Sequence, residues 1–360
     1  MKKKIRHMEK VCVLFGGTSP EHDISVKSAL FALKSLTMAG FECRAYYLDR
    51  QNRPYGPEAV AQRVGVLIEE GILSEGEYAE ILDSGLIRGK PRDMGELFNI
   101  LMSDDVDVVF PVFHGPGGED GSIQGALEFL DIPFVGCGVA GSAMAMDKVI
   151  TKKMCEFHGI KVVDYLSFYV HEWKKGKQAC LEKIEKKLGY PCFVKPAGQG
   201  SSIGISRADN KEELVSSISA AAVYDSKLLC EPAISGMEYS VGVIGNANPK
   251  ASVPAEISLW KDFFDYPAKY GPNAVDDIIP APLGPGLTRK LQQTALKTYE
   301  VMGLSGMARV DSFIENGQVL VNEINTIPGM GGNSLFHRMW EKTGVSPPRL
   351  FERLIKYACE

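Results

Sequence analysis

The chain has 360 residues, which at roughly 150 residues per domain predicts two or three domains and a substantial core. Hydrophobic residues at 45% and charged residues at 24%, with 37 Gly and 20 Pro, are an ordinary globular composition that excludes global disorder, fibrous folds and small disulfide-stapled modules. The formal net charge of −5 lacks the basic excess that tracking a phosphate backbone requires, which disfavours nucleic-acid binding and favours small-molecule chemistry.

Residues 1–9 read as a solvated tail, with Met8 as an alternative start. The run VCVLF behind it is too short for a secretory segment and is stopped by Gly16 and Gly17, so a cytoplasmic chain is expected. No apolar run approaches the ~20 residues of a membrane helix. Strand patterns at 11–15, 43–48, 106–112 and 133–135 alternate with helical ones at 24–39 and 122–130. This predicts an open α/β layer with ligands at the carboxyl ends of its strands. Residues 50–103 read as a polar, helical insert without chemistry. The order then changes to a helix at 144–158, a strand at 165–170, a helix at 181–188 and an extended run at 190–195. After the reversal GQGSSIGIS, Asp209 with Glu212 predicts a capping box opening a helix at 211–222. Strands at 240–244 and 251–256, a Pro-rich loop, a helix at 288–302 and a hairpin of 307–314 with 318–324 complete the chain. The fold class is α/β and α+β, with units 1–140, 141–232 and 233–360. Cysteines 12, 43, 137, 155, 180, 192, 230 and 359 form no C-x-x-C pair, which argues against zinc and disulfides and for small buried hydrophobes.

Two familiar glycine motifs are present. Gly136-Cys137-Gly138-Val139-Ala140-Gly141 matches a dinucleotide fingerprint, but the residue 20 positions after Gly136, Glu156, lies in a predicted helix and not at a strand end, so a domain-crossing turn is expected. Gly200-Ser201-Ser202-Ile203-Gly204 matches a nucleophile elbow, yet strand-like residues follow where a helix is needed. The same loop offers backbone N–H groups and hydroxyls beside Lys195, a cradle suited to polyphosphate; Lys148 could bring a second cation, and a solvated strand-end lysine is the alternative. In the hairpin, Arg309 with Asp311 and Glu323 with Asn325 are i, i+2 pairs, each on one face of its strand. A two-residue Asn316-Gly317 loop would oppose Asp311 to Asn322 and turn Glu323 away. A three-residue loop, 315–317, would oppose Arg309 to Glu323 and gather all four, giving two carboxylates and an amide oxygen of the kind Mg²⁺ takes. The metal reading therefore expects the longer loop. Glu21 and His22 precede the first helix and His114 ends a strand, where a carboxylate and an imidazole could hold an amino acid.

Taken together, FGGTSPEHDIS, PVFHGPGGEDGSIQG, FVGCG, MDKVITK, YPCFVKPAGQGSSIG, EPAISGMEYSVGV, FFDYPAKY, GMARVDSF and VNEINTIPGM occur in order. In these segments the chain resembles the D-alanine-D-alanine ligase family of the ATP-grasp fold, from Val11 to about Ile355. The resemblance implies ATP and two Mg²⁺ ions (Mn²⁺ as a substitute), D-alanine as substrate, and a homodimer. It implies Lys148 and Lys195 at the phosphates, with Ser202 in the same loop, Glu231 at adenine, Glu238 at ribose and Lys269 closing over the γ-phosphate. Asp311, Glu323 and Asn325 resemble the metal ligands. Glu21, Ser201 and Tyr270 resemble a trio beside the first D-amino acid, whose carboxylate His114 would meet. Arg309 and the Gly329 N–H look like oxyanion partners, and Ser334 and Leu335 line the second-substrate site. Departures are Gln199, where many members carry an acidic residue, and GGN at 331–333, which replaces a threonine-serine-histidine run. An acyl phosphate attacked by the second amine is the implied route, and Tyr270 with Leu335 points to D-alanine as acceptor.

Overall fold

The computed structural model describes residues 10–56, 90–103, 105–257 and 277–360. Among them the strands form three sheets. The first contains β1 (Lys10–Gly16), β2 (Glu42–Leu48), β3 (Pro54–Tyr55) and β4 (Val108–Val112) in the order β3-β2-β1-β4, with β1 parallel to β2 and to β4. Helix α1 (His22–Met38) and the shorter α2 (Met94–Leu101) and α3 (Ser122–Phe129) cover it. Strand β1 is apolar at every position from Val11 to Phe15 because both of its faces are buried, as a central parallel strand requires. The expected strand at 133–135 is a single bridge, Val109 to Phe134. The predicted insert lies largely outside the described residues.

The single helix expected at 144–158 is two helices, α4 (Val139–Met146) and α5 (Lys148–Phe157). Asp147 breaks them: in extended conformation it caps α5 by accepting from the backbone N–H groups of Val149 and Ile150 at 2.9 and 3.0 Å. Strand β5 (Leu166–Tyr169), helices α6 (Val170–Lys175) and α7 (Lys177–Lys187), strands β6 (Cys192–Pro196) and β7 (Ser206–Ala208), helix α8 (Lys211–Ala221) and strand β8 (Lys227–Pro232) follow. They form an antiparallel sheet, β5-β8-β6-β7, over a core including Phe168, Trp173, Ile184 and Ile218. The cap of α8 sits one residue later than expected. Asn210 accepts from Glu213 N–H at 2.9 Å and Glu213 accepts from Asp209 N–H at 2.9 Å.

The third sheet is antiparallel: β9 (Met237–Ile244) pairs with β10 (Lys250–Ala251), β11 (Ala255–Ile257) and β12 (Met307–Glu315), and β12 with β13 (Gln318–Asn325). The strand expected at 251–256 is thus two short ones. Helix α9 (Pro285–Val301) packs Leu291, Ala295 and Tyr299 into the core of this sheet. The last helices, α10 (Leu335–Lys342) and α11 (Pro347–Tyr357), share a core with the first sheet, where Phe351 stacks on Phe110 with centroids 5.5 Å apart.

The structure accounts for both glycine motifs. Gly136 to Gly138 form the turn that opens α4, and Gly141 within α4 packs on the turn before β12, where an added Cβ would lie 3.1 Å from Leu304. The Ser201-Ser202 loop leads through a turn into β7 and not into a helix, so a nucleophile elbow is absent there. Of the eight free cysteines, Cys12, Cys137, Cys155, Cys192 and Cys230 are buried.

Gly16 ends β1 with φ +96°, and a Cβ there would lie 2.1 Å from the Leu48 carbonyl oxygen. Gly16→Ala combines a left-handed backbone with a clash against a paired strand. It is expected to lower unfolding free energy by about 2 kcal/mol in urea titrations without changing the m value.

Candidate functional site

The hairpin differs from the expected three-residue loop. Glu315 pairs with Gln318, leaving a two-residue turn in which Asn316 (φ +49°) and Gly317 (φ +72°) are both left-handed. By itself that turn would turn Glu323 away. A β-bulge compensates: Ser312 pairs with Val321, but Asp311 pairs with Glu323 and Arg309 with Asn325, so Asn322 is the extra residue. Asp311 and Glu323 are therefore directly opposite each other. Arg309 forks onto Asp311, with Nη2 at 2.7 Å and Nε at 2.9 Å. Ser240 donates to the same carboxylate at 2.5 Å, and Asn325 Nδ2 donates at 2.9 Å.

Facing the hairpin are lysines from the second sheet and from α5. Lys148, the first residue after the Asp147 cap, donates to the Gln199 carbonyl at 2.6 Å and lies 3.3 Å from Glu323. Lys195 lies 2.5 Å from Glu231 Oε2 and 3.4 Å from Asn322 Oδ1. Asn322 Nδ2 in turn donates to Glu238 at 2.9 Å. Burial alone would raise the Glu231 carboxyl, but Lys152 and Lys195 outweigh it and hold it below the usual range. Burial opposes the charge on Lys195, and Glu231, then Glu323 and Glu238, restore and exceed that loss. Sequence reasoning missed Lys152 and Asn322. Their signals were available: Lys152 is one helical turn from Lys148, and Asn322-Glu323 puts two polar residues in succession into an alternating strand.

At the carboxyl ends of the first sheet, Ser201 donates to Glu21 across 180 residues of chain. Ser201 and Ser202 are both left-handed, with φ +46° and +59°. His22, beside Glu21, has its ring nitrogens on the Gly17 carbonyl at 2.6 Å and on the Tyr47 hydroxyl at 3.0 Å. His114 is buried, with Nδ1 on the Ile327 carbonyl at 3.0 Å and Nε2 on the Ser28 hydroxyl at 3.0 Å. The carbonyl requires Nδ1 to carry the proton, so Ser28 donates to Nε2. Ser28 Oγ also accepts from Met330 N–H at 3.0 Å. Both His114 nitrogens are thus committed to protein, and meeting a substrate carboxylate would need one of these bonds exchanged. Glu119, also missed from sequence, accepts from Gly115 N–H at 2.9 Å and Ile327 N–H at 3.1 Å. Burial and the neighbouring Glu21 push it up to about 8. Three side chains of the first unit therefore pin residues 327–330, the segment that carries Gly329. Ser334, half-buried, precedes α10, whose first residue is Leu335.

Lys269 and Tyr270 lie outside the described residues. Among those described, no group of three or more His, Cys, Asp and Glu side chains is placed to hold a metal ion. Asp311, Glu323 and Asn325 nevertheless fit a hard dication in donor chemistry, with Arg309 and Lys148 as the cations now balancing the carboxylates. No helix of the described residues is long and apolar enough to cross a membrane.

A parallel α/β unit, a small antiparallel unit carrying Lys195 and a second antiparallel sheet carrying paired carboxylates define an ATP-grasp enzyme of the ligase class. Residues 10–137 match the D-ala D-ala ligase N-terminus and residues 154–356 the D-ala D-ala ligase C-terminus, and the chain belongs to this family of ligases. It is 40% identical over 358 residues to the D-alanine–D-alanine ligase of Natranaerobius thermophilus, covering 99% of this chain and 95% of that protein. It is 39% identical to that of Bacillus cytotoxicus, covering 98% and 96%. Similar solved structures include the D-alanine-D-alanine ligase from Coxiella burnetii, with TM-score 0.77, 30% identity and coverage of 97% and 95%. Another is the VanG D-Ala:D-Ser ligase from Enterococcus faecalis, with TM-score 0.81, 30% identity and coverage of 98% and 100%.

Burial lowers His114 from 6.5 to about 4. The folded state then binds fewer protons than the unfolded chain between these values, so stability is lost as pH falls from about 6.5 to about 4, by up to about 3 kcal/mol. The sign for Glu119 is opposite: its folded value is raised from 4.5 to about 8, so its contribution is lost as pH rises through that window. Denaturant midpoints measured against pH are expected to fall less steeply on acidification in His114→Asn than in the wild-type chain. In Glu119→Gln the decline toward pH 8 is expected to be shallower.

Proposed function

We propose that the chain joins two D-alanine molecules into D-alanyl-D-alanine, with ATP as phosphoryl donor and an acyl phosphate as intermediate. The observation that carries this reading is the convergence of Lys148, Lys195, Arg309, Asp311 and Glu323 beside the pinned 327–330 segment. In it, Lys148, Lys195 and the Ser202 loop hold the phosphates, Glu231 and Glu238 serve adenine and ribose, and Lys269 closes over the γ-phosphate. Asp311, Glu323 and Asn325 would hold Mg²⁺, which when bound supplies countercharge to the transferring phosphoryl group. Glu21, linked to Ser201 and with Tyr270, orients the first D-alanine. Its carboxylate oxygen is phosphorylated, because a free carboxylate is a poor electrophile. The neutral amine of the second D-alanine attacks the carbonyl carbon, Arg309 and the Gly329 N–H stabilise the oxyanion, and phosphate departs. His114 acts by fixing the segment that presents Gly329. The product suits peptidoglycan precursor synthesis in the cytoplasm, and the enzyme is read as a homodimer.

D-alanine as acceptor is supported by the apolar Leu335 and by the names of the relatives near 40% identity. D-serine is the second reading. It is favoured by the likeness to a D-Ala:D-Ser ligase.

The deciding assay is phosphate release from ATP with and without D-alanine. Release that depends on D-alanine is expected, and ATP-independent ester cleavage would overturn the reading. Glu323→Gln is expected to lower kcat by about 100-fold or more, with unchanged circular dichroism, since it removes one of two opposed carboxylates. Lys195→Ala should cost far more activity than Ser202→Ala, because a full charge is lost and not one of several hydrogen bonds. In competition among equal D-alanine, D-serine and D-lactate, products resolved by mass are expected to be chiefly D-alanyl-D-alanine. D-alanyl-D-serine as main product would move the assignment to the second reading.

A further inference from the structure

Three lysines, Lys148, Lys152 and Lys195, meet the carboxylates of the site, and one of them is closed off from any ligand. Lys152 is 0% exposed. Its ammonium is used up inside the protein: Nζ lies 2.8 Å from Glu231 Oε1, donates to the Val163 carbonyl at 3.2 Å, and sits 5.7 Å from the centre of the Tyr165 ring. Lys195 approaches the other oxygen of the same carboxylate, Oε2, at 2.5 Å, and its side chain keeps 11% of its surface open. Glu231 is thus bracketed by a lysine behind it and a lysine in front of it.

The arrangement sets up an exchange problem. A cation that serves phosphates must be able to leave its resting partner, and a buried carboxylate that loses its sole cation is left uncompensated in a medium that solvates it poorly. With Lys195 alone on Glu231, the ion pair would compete with the ligand for the lysine. With Lys152 on the other oxygen, Glu231 stays paired when Lys195 turns toward a phosphate. The helix supplies both tools at i, i+4 spacing: Lys148 at its first turn meets Glu323 and Lys152 one turn on meets Glu231.

We propose that Lys152 is a positioning residue for nucleotide binding: it holds the Glu231 carboxylate and keeps it compensated, so that Lys195 is released to the phosphates. The inference rests on the ligase reading and adds to it a role for a residue that touches neither nucleotide nor amino acid. It predicts that Lys152 acts through Glu231 and not through general stability.

The test is a double-mutant cycle on the full-length enzyme, using Lys152→Met, Glu231→Gln and the double variant, with Lys152→Arg as the charge-conserving control. The readouts are the Kd of ADP by titration calorimetry, the KM for ATP against kcat, and thermal melts to establish folding. Lys152→Met is expected to weaken ADP at least tenfold and to raise the ATP KM more than it lowers kcat, with Lys152→Arg recovering a large part. In the Glu231→Gln background, where no carboxylate needs compensation, the same Lys152→Met change is expected to alter the ADP Kd by less than threefold or to improve it. Equal losses in both backgrounds, or a lowered melting temperature with unchanged ADP affinity, overturn the proposal and leave the ligase reading intact. If Lys152→Met alone does not fold, the double variant against Glu231→Gln still decides: a tenfold loss there also overturns it. Failure of the wild-type chain to bind ADP at all overturns the ligase reading, and this inference with it.

Discussion

Two neighbouring residues of a regular strand face opposite sides of their sheet, and the cluster of lysines and carboxylates described above depends on breaking that rule once. The bulge at Asn322 lets Asn322 and Glu323 both address the lysines: Asn322 links Lys195 to Glu238, and Glu323 meets Lys148. It also resets the pairing so that Asp311 lies opposite Glu323 despite a two-residue turn. Without the extra residue, the Asn316-Gly317 turn would fix a register in which Glu323 and Asn325 leave the Arg309–Asp311 face. The chemistry of three polar residues is thus governed by one unpaired backbone unit, and the tight turn can keep the Asn-Gly geometry that its twist prefers.

A second constraint joins the two ends of the chain. Residues 327–330 follow the hairpin directly, so the carboxylate-bearing strand is covalently tied to the segment that His114, Glu119 and Ser28 grip. The terminal helices continue the connection by sharing a core with the first sheet, with Phe351 against Phe110. The hydrogen bonds are directional and the aromatic packing is dense, so the first and third sheets are registered to one another by both kinds of contact.

Much of this was legible before coordinates. Apolar runs marked β1, β2 and β4, and the order of motifs marked the family, because backbone needs and ligand chemistry both act on local sequence. The break at Asp147 was hidden because its flanks are equally helical, and only the capping geometry shows that its side chain competes with the helix. The register of β12 on β13 was hidden because turn length and bulge cancel, and each alone predicts a different face. Glu119 and Lys152 were passed over because a charged side chain in a polar loop or on an amphipathic helix reads as solvated. Burial with a partner distant in sequence, Ile327 for one and Glu231 for the other, emerges only in three dimensions.

The pairing of the cleft has a consequence for how it captures an anion. Lys148, Lys152, Lys195 and Arg309 stand against Glu231, Glu238, Asp311 and Glu323, so the described wall is close to self-neutral, in a chain of net charge −5. Such a surface projects little field into solvent and gives a polyanion no long-range steering. Lys148 and Arg309 are freed as Glu323 and Asp311 take other partners, whereas Lys195 can leave a Glu231 that Lys152 still holds, so uptake of an anion at this wall is an exchange of ion pairs. A wall of this kind holds its positive charge in reserve, paired until a ligand competes for it.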